Sequence, residues 1–413
     1  MDRRRALVIG GSLGGLFAAN LLRSIGWDVA VFERAKGDLA GRGAGLGTRT
    51  ELFDVMRRVG IDLDRSIGAE ASSRIALDRN GETICEVPVR TVTTAWDRMY
   101  RALKAALPPE SYRSGMQLER FEQDRQKVAA VFADGSRAEG DLLIGADGIH
   151  STVRRQLLPG LAPRYAGYVS WRGVAEENNG GAPFHAVVLR HMAFCFPEGE
   201  LALSIPMPAP DGNAGPSRRR CHFSWFRPVD DATLPRMCTD ADGRCHGDSI
   251  PPPLIRRALI DELKAQAEAL LAPQIAALVA GAEQPILQPI VDLQSPRIAF
   301  ARTVLLGDAA FVSRPHVGTG VTKAALDAQC LADALLSARN DIDAALMRYD
   351  RERRRFGRWL VARGRYLGGY LEAQLKPRGE RTAAELERRP EIVMREFGGA
   401  GVIDGDSGAP WGW

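Results

Sequence analysis

Apolar and polar positions at the start of the chain follow a strand–helix–strand cycle. Residues 6–9 (Ala-Leu-Val-Ile) form an unbroken apolar run, which reads as a buried strand. A glycine-rich turn comes next, and then Leu13, Leu16, Phe17 and Leu21 recur at helical spacing before a second apolar run, Val29 to Phe32. This spacing predicts a βαβ unit and so a parallel sheet with crossover helices. Further along, Arg98 to Leu107 reads as a helix. Val128 to Phe132 and Asp141 to Ile144 read as strands about a turn at Asp134-Gly135. Val304 to Leu306 is a short strand that a glycine-rich turn and a helix of about sixteen residues follow. From about 166 to 291 the texture changes. Alternating runs such as Tyr168 to Trp171 and Cys221 to Phe226 are broken by Pro- and Gly-rich loops at 206–216 and 240–253. A second, mainly antiparallel sheet inserted into the first domain is expected there.

Size and composition bound the function. The 413 residues, 45% hydrophobic and 26% charged, are ordinary for a globular chain of two or three domains. Every apolar run falls short of the roughly 18 residues that a membrane span requires, so none is expected. The basic start, Arg3-Arg4-Arg5, precedes only four apolar residues, too few for a secretory segment, and a cytoplasmic location is expected. The six cysteines are scattered, which argues against a disulfide framework. Cys238, Cys245 and His246 come closest to a metal cluster, but no second ligand pair follows at zinc spacing, and no metal is expected. Much of the basic excess lies between Arg351 and Arg365, interleaved with Phe356, Trp359 and Leu360. That pattern fits an amphipathic helix with a solvated basic face. Without a stacking platform or a known module, nucleic-acid binding is not expected.

Chemistry enters at three places. The first is Gly10-Gly11-Ser12-Leu13-Gly14-Gly15, between the first strand and the first helix. Glycines let the chain turn tightly, let a pyrophosphate approach the backbone, and let helix and strand pack closely. Amides at the helix N-terminus, here those of Ser12 and Leu13, then hold phosphates. Gly10 and Gly15 occupy the outer positions of the usual G-x-G-x-x-G, and Ser12 replaces the middle glycine. Glu33 ends the second strand where a carboxylate binds an adenosine ribose, and Arg34 follows it. FAD fits this pattern, and NAD does as well.

The second is Asp147-Gly148-Ile149-His150-Ser151-Thr152-Val153-Arg154. The third runs Gly307-Asp308-Ala309-Ala310 to Arg314-Pro315-His316-Val317-Gly318-Thr319-Gly320. The three together, in this order, resemble the class A FAD-dependent aromatic hydroxylases, a flavoprotein monooxygenase superfamily. Tyr165 to Val174 and Arg314-Pro315-His316 further resemble a hydroxypyridine-hydroxylating subgroup, which shares the serine at position 12. Two departures stand out: Phe311 where many members have histidine, and Trp96 where many have an arginine that touches FAD.

The resemblance implies an α/β fold. A Rossmann-type FAD-binding domain would comprise residues 1–75, 97–165 and 292–340. A substrate-binding, mainly antiparallel insert would comprise 76–96 and 166–291, followed by C-terminal helices (341–397) and a loose tail (398–413). It implies bound FAD, and NADH or NADPH as co-substrate. A flavin C4a-hydroperoxide would deliver oxygen from O2 to an electron-rich aromatic or N-heteroaromatic ring, 2,6-dihydroxypyridine being the model. Asp308 would bind the ribityl chain, and Asp147 would contact FAD and the nicotinamide cofactor. Gly318, Thr319 and Gly320 would meet the flavin ring, and Arg42 and Gly45 would lie in the loop that carries it. His316, after Pro315, is the candidate polar group at the substrate ring, or a histidine that only bonds its loop. Tyr168 and Arg172 share a strand face and are the candidate substrate contacts. Pairing into a homodimer through the C-terminal helices is expected. Two other readings stay open at this point: a flavin-dependent reductase that inserts no oxygen, and a non-catalytic flavoprotein.

Overall fold

The computed structural model describes residues 4–40, 45–62, 68–176, 186–208, 220–247, 249–339, 341–386 and 389–399. Arg42 lies outside the described residues, as does the tail beyond Gly399.

The opening pattern folds as its periodicity requires. Strand Arg5–Ile9, helix Leu13–Ser24 and strand Asp28–Glu33 form a βαβ unit whose strands pair in parallel, Ala6 opposite Val29 and Ile9 opposite Phe32. The sheet has six strands, in the order Ala299–Phe300, Thr303–Leu305, Leu142–Gly145, Arg5–Ile9, Asp28–Glu33, Tyr112–Ser114. Only the first pair is antiparallel. Helix Leu13–Ser24 is buried along most of its length, with helix Gly320–Ser337 against it. All strands but Ala299–Phe300 therefore end at one edge of the sheet, and binding sites form at such edges.

Two elements depart from the expected register. The helix expected from Arg98 begins two residues earlier, at Trp96, and ends at Ala105. Val128–Phe132 does not pair with the strand that starts near Asp141; its hairpin partner is Arg137–Gly140. Leu142–Gly145 instead enters the parallel sheet between Arg5–Ile9 and Thr303–Leu305. A strand that is apolar on every residue suits a place buried on both faces.

The inserted sheet has eight strands. Its spine is the long strand Arg164–Glu176, flanked by Ile286–Gln294 and Arg220–Pro228. Leu201–Met207, Met192–Cys195, Arg74–Leu77 and Thr83–Val87 follow on one side, and Phe311–Val312 closes the other. One face packs Val169, Trp171, Phe223 and Trp225 beneath helices Arg257–Leu270 and Pro273–Gly281. The opposite face carries Tyr168, Leu203 and Phe226, which pack with Leu371, Met394 and Phe397 from the C-terminal part of the chain. Helix Ile342–Ala373, 32 residues long, runs past both sheets, and helix Pro390–Glu396 follows it.

Candidate functional site

The glycine turn is set by backbone contact. Gly10 has φ +106°, and a Cβ there would lie 2.4 Å from the carbonyl oxygen of Ala146. A Cβ on Gly15 would lie 1.9 Å from the carbonyl oxygen of Gly10, so no side chain fits where helix meets strand. Gly11 answers to another constraint, since a Cβ would strike the Tyr112 hydroxyl at 2.3 Å. Its amide donates to Glu33 Oε2 (2.8 Å) and the Ala35 amide donates to Oε1 (2.9 Å). Glu33 is thereby pinned at the end of its strand, with lone pairs left to accept from a ribose hydroxyl. Ser12 caps helix Leu13–Ser24 by position, yet its hydroxyl makes no cap bond.

These groups line a cavity of about 550 Å³ that joins all three sequence motifs. Gly10, Ser12, Leu13, Glu33, Arg34, Asp147, Asp308 and Gly320 all reach it, and Gly15 supports it from behind. At the far end Asp308 faces the cavity. Desolvation there pushes its carboxyl up, against the pull of Lys323. Thr319 caps helix Gly320–Ser337, and its buried hydroxyl has no hydrogen-bond partner among the described residues. Gly318 takes the left-handed conformation, φ 60°. A carboxylate near each end, the Ser12 hydroxyl, the helix N-termini at Leu13 and Gly320 and a glycine cradle fit the sugar–pyrophosphate–flavin chain of FAD.

Asp147 has a further role. Its carboxylate accepts from the Ser151 hydroxyl and from the amides of Thr152 (2.7 Å) and Val153 (3.1 Å). It therefore caps helix Thr152–Leu157, while burial pushes its carboxyl up. Arg154, fully buried, donates to the carbonyls of Ala309 (3.0 Å) and Ile149. The second motif is thus stitched to the third by a side chain. A buried ion network below Asp308 was not foreseen. Asp327 accepts from the Gly307 amide (3.1 Å) and Arg353 Nε (2.6 Å), and lies 3.5 Å from the buried Lys323 Nζ.

The other half of the site is built where the Arg314-Pro315-His316 turn meets the eight-stranded sheet. Tyr168 Oη lies 2.8 Å from His316 Nε2, and both are buried. Burial raises the Tyr168 pKa, so its phenol stays protonated. The His316 ring is walled by Phe226 at 4.6 Å and Phe397 at 5.8 Å between centroids. Arg314, 2% exposed, donates to Asp292 and to Glu372 on the long helix. Glycines make room for this turn: a Cβ on Gly368 would lie 2.3 Å from Tyr168 Oη, and one on Gly364 would lie 2.9 Å from the Arg314 amide. The C-terminal segment closes over the same region, since Arg74 donates to the carbonyls of Met394 and Phe397, and Arg49 to that of Gly398.

Along the sheet face from Tyr168 come Ser170 and Arg172. Beside them on the next strand stand Phe226, Ser224 and His222. Trp171 points away into the core. Arg172 Nη1 donates to Gln288 (2.8 Å), and His222 Nε2 lies 2.9 Å from Ser224 Oγ. Burial, and then the charge of Arg172, keep His222 well below its usual pKa, hence neutral. Gly45 lies across from it: a Cβ on Gly45 would sit 3.6 Å from His222 Cβ. His222, Ser224 and Gln288 were missed from sequence, although the alternation Cys221, Phe223, Trp225 against His222, Ser224, Phe226 displays the polar face.

A family model described as FAD binding domain-like matches residues 165–292, which hold most of the inserted sheet. Over 353 residues the chain is 32% identical to 2,6-dihydroxypyridine 3-monooxygenase of Paenarthrobacter nicotinovorans, spanning 84% of this chain and 86% of that protein. The chain belongs to the FAD-dependent aromatic-ring monooxygenases. The monooxygenase fold superimposes on the structure of 2,6-dihydroxypyridine-3-hydroxylase from Arthrobacter nicotinovorans with a TM-score of 0.83, at 29% identity over 93% of this chain and 96% of that one. A Klebsiella pneumoniae enzyme complexed with FAD and uric acid matches at a TM-score of 0.69, with 26% identity over 88% of each chain. The monooxygenase therefore inserts oxygen, and the readings as a reductase or a non-catalytic flavoprotein are not favoured.

Proposed function

We propose that this monooxygenase hydroxylates a small electron-rich N-heteroaromatic ring of the 2,6-dihydroxypyridine type, with O2 and NADH or NADPH as co-substrates. One juxtaposition carries the reading: the cavity that fits FAD ends at Asp308 and Gly320, beside the turn whose His316 meets the polar face of the inserted sheet. Glu33 would hold the adenosine ribose, the Ser12 and Leu13 amides the pyrophosphate, Asp308 a ribityl hydroxyl, and Thr319 with the Gly320 helix terminus the flavin's pyrimidine end. When bound, the flavin accepts a hydride equivalent from NAD(P)H and activates O2.

The chain's own residues supply position and polarity. The protonated Tyr168 phenol fixes the His316 ring, and Arg314 fixes the turn that carries both Pro315 and His316. Tyr168, His316 and Phe226 then form an aromatic end wall, while Arg172, Ser224 and His222 provide the polar end. Burial of this face excludes water from the reacting ring. Within the same proposal the enzyme works in the cytoplasm as a homodimer. Six free cysteines support the first part, and exposed Met347, Tyr366 and Ile392 on the C-terminal helices support the second. No helix among the described residues is long and apolar enough to cross a membrane.

The test begins with the visible spectrum of the purified protein. Aerobic NADH oxidation is then followed with and without 2,6-dihydroxypyridine. Ring-dependent NADH consumption with a hydroxylated product supports the proposal. Flavin bands with no response to this ring or to a panel of phenols and N-heterocycles overturn it.

A further inference from the structure

Behind the cavity that fits FAD, two buried cations share one carboxylate. Lys323, near the start of helix Gly320–Ser337, is 1% exposed, and its Nζ has no hydrogen-bond partner among the described residues. Its one ion-pair partner among them is Asp327, a turn along the same helix, at 3.5 Å. Asp327 is already engaged: it accepts from Arg353 Nε at 2.6 Å and from the Gly307 amide at 3.1 Å. Arg353, on the long helix, has no second carboxylate within 4 Å among the described residues, and its Nη2 donates to nothing there. Two positive charges therefore face one negative charge, sealed from solvent. A buried charge is tolerated where an opposite charge answers it.

The answer stands on the far side of one turn. Gly307, whose amide Asp327 holds, immediately precedes Asp308, and Asp308 faces the cavity. Desolvation pushes the Asp308 carboxyl up and the charge of Lys323 draws it down. The other elements packed here add no competing anion. Tyr349 on the long helix is fully buried, which holds its phenol well above the usual range and so neutral. Helix Leu13–Ser24 carries no carboxylate. Glu33, Arg34, Asp147, His150 and Arg155 line the cavity from other elements.

On the reading that Asp308 holds FAD, we infer that Lys323 is a positioning residue: it keeps Asp308 a carboxylate once the cofactor covers it, so that Asp308 can accept from a cofactor hydroxyl. Bound FAD takes water away from Asp308, and Lys323 is then the charge that sustains its ionisation. Without Lys323 the covered carboxyl takes up a proton that the open cavity lets go at neutral pH. Binding is then coupled to proton uptake, so affinity falls as the pH rises, by up to about tenfold per pH unit.

The test dilutes the holoenzyme stepwise and reads FAD release as recovered flavin fluorescence, between about pH 5.5 and pH 8. The quantity compared is the dissociation constant of Lys323→Met divided by that of wild type. This ratio cancels titrations that both proteins share, that of His150 included. It is expected to rise at least about tenfold from the acid to the alkaline end. Lys323→Met leaves Arg353 and Asp327 as a matched pair, which favours folding, and Lys323→Gln serves as a second neutral variant. Lys323→Arg should restore a flat ratio. In an Asp308→Asn background, removing Lys323 should give no rise with pH. A ratio constant with pH, whether near one or large, overturns the inference, because a merely structural loss weakens binding equally throughout. So does a rise that persists in the Asp308→Asn background. If Asp308→Asn itself retains FAD as tightly as wild type at every pH, the reading of Asp308 falls and the inference with it; a flat ratio beside a weakened Asp308→Asn sinks the inference alone.

Discussion

Substituting alanine at Gly368 sets two opposed effects against each other, and the structure decides the sign. In an open helical position Gly→Ala stabilises by about 0.8–1.0 kcal/mol. Gly369 is such a position, with no atom within 4 Å of a new Cβ. One residue earlier, a Cβ on Gly368 would lie 2.3 Å from Tyr168 Oη and 2.9 Å from Arg314 Cδ. Neither can retreat cheaply. Tyr168 is fully buried and hydrogen-bonded to His316, and Arg314 is held by Asp292 and Glu372. Overpacking costs about 1–3 kcal/mol, and parting the buried Tyr168–His316 pair costs another ~1–3 kcal/mol. Less the helical gain, Gly368→Ala should destabilise by about 1–5 kcal/mol, whereas Gly369→Ala should stabilise by up to ~1 kcal/mol. Urea unfolding followed by tryptophan fluorescence, at saturating FAD so that cofactor linkage is equal, gives both midpoints. Gly368→Ala should also slow ring hydroxylation, because the His316 turn shifts. A Gly368→Ala enzyme as stable as wild type would refute the claim that this close approach holds the turn.

Asp308→Ala removes a carboxylate at the far end of the cavity and should weaken FAD retention by about ten- to a hundredfold; full flavin content after extensive dialysis counts against the proposed role. His316→Ala should slow ring hydroxylation more than it weakens FAD binding, and unchanged turnover on the true substrate removes His316 from the mechanism. His222 is held well below the unfolded value of about 6.5, so below that pH the unfolded chain takes up a proton that the native site refuses. Stability contributed by this site is thus fully present above about pH 6.5 and falls by up to ~1.4 kcal/mol per unit as the pH drops. Melting temperatures between pH 7 and 5 should fall more steeply for wild type than for His222→Gln, and parallel profiles would show that His222 is already charged in the folded protein.

Local pattern alone determined the frame of the large cavity. A strand, a glycine turn, a helix and an acid at the end of the next strand are all set by neighbours in the chain, so Gly10, Gly15 and Glu33 could be read directly, as could Asp308 before its helix. The reason for Gly11 could not, because Tyr112 stands about a hundred residues away and reaches it only across the sheet. The same holds for Asp147, whose carboxylate turned out to cap its own helix, and for Arg154, which reaches Ala309 through the core. On the substrate side, strand alternation grouped Tyr168, Ser170 and Arg172 but left open which face looked inward. The helices covering Trp171 and Trp225 settled that, because an apolar face must be buried and a polar one is left to the site. His316 could be named from its turn. Its partner in the inserted sheet, and the glycines of a helix fifty residues on that let them meet, exist only in the folded molecule, since distance along the chain carries no information about contacts between elements that pack across a domain boundary.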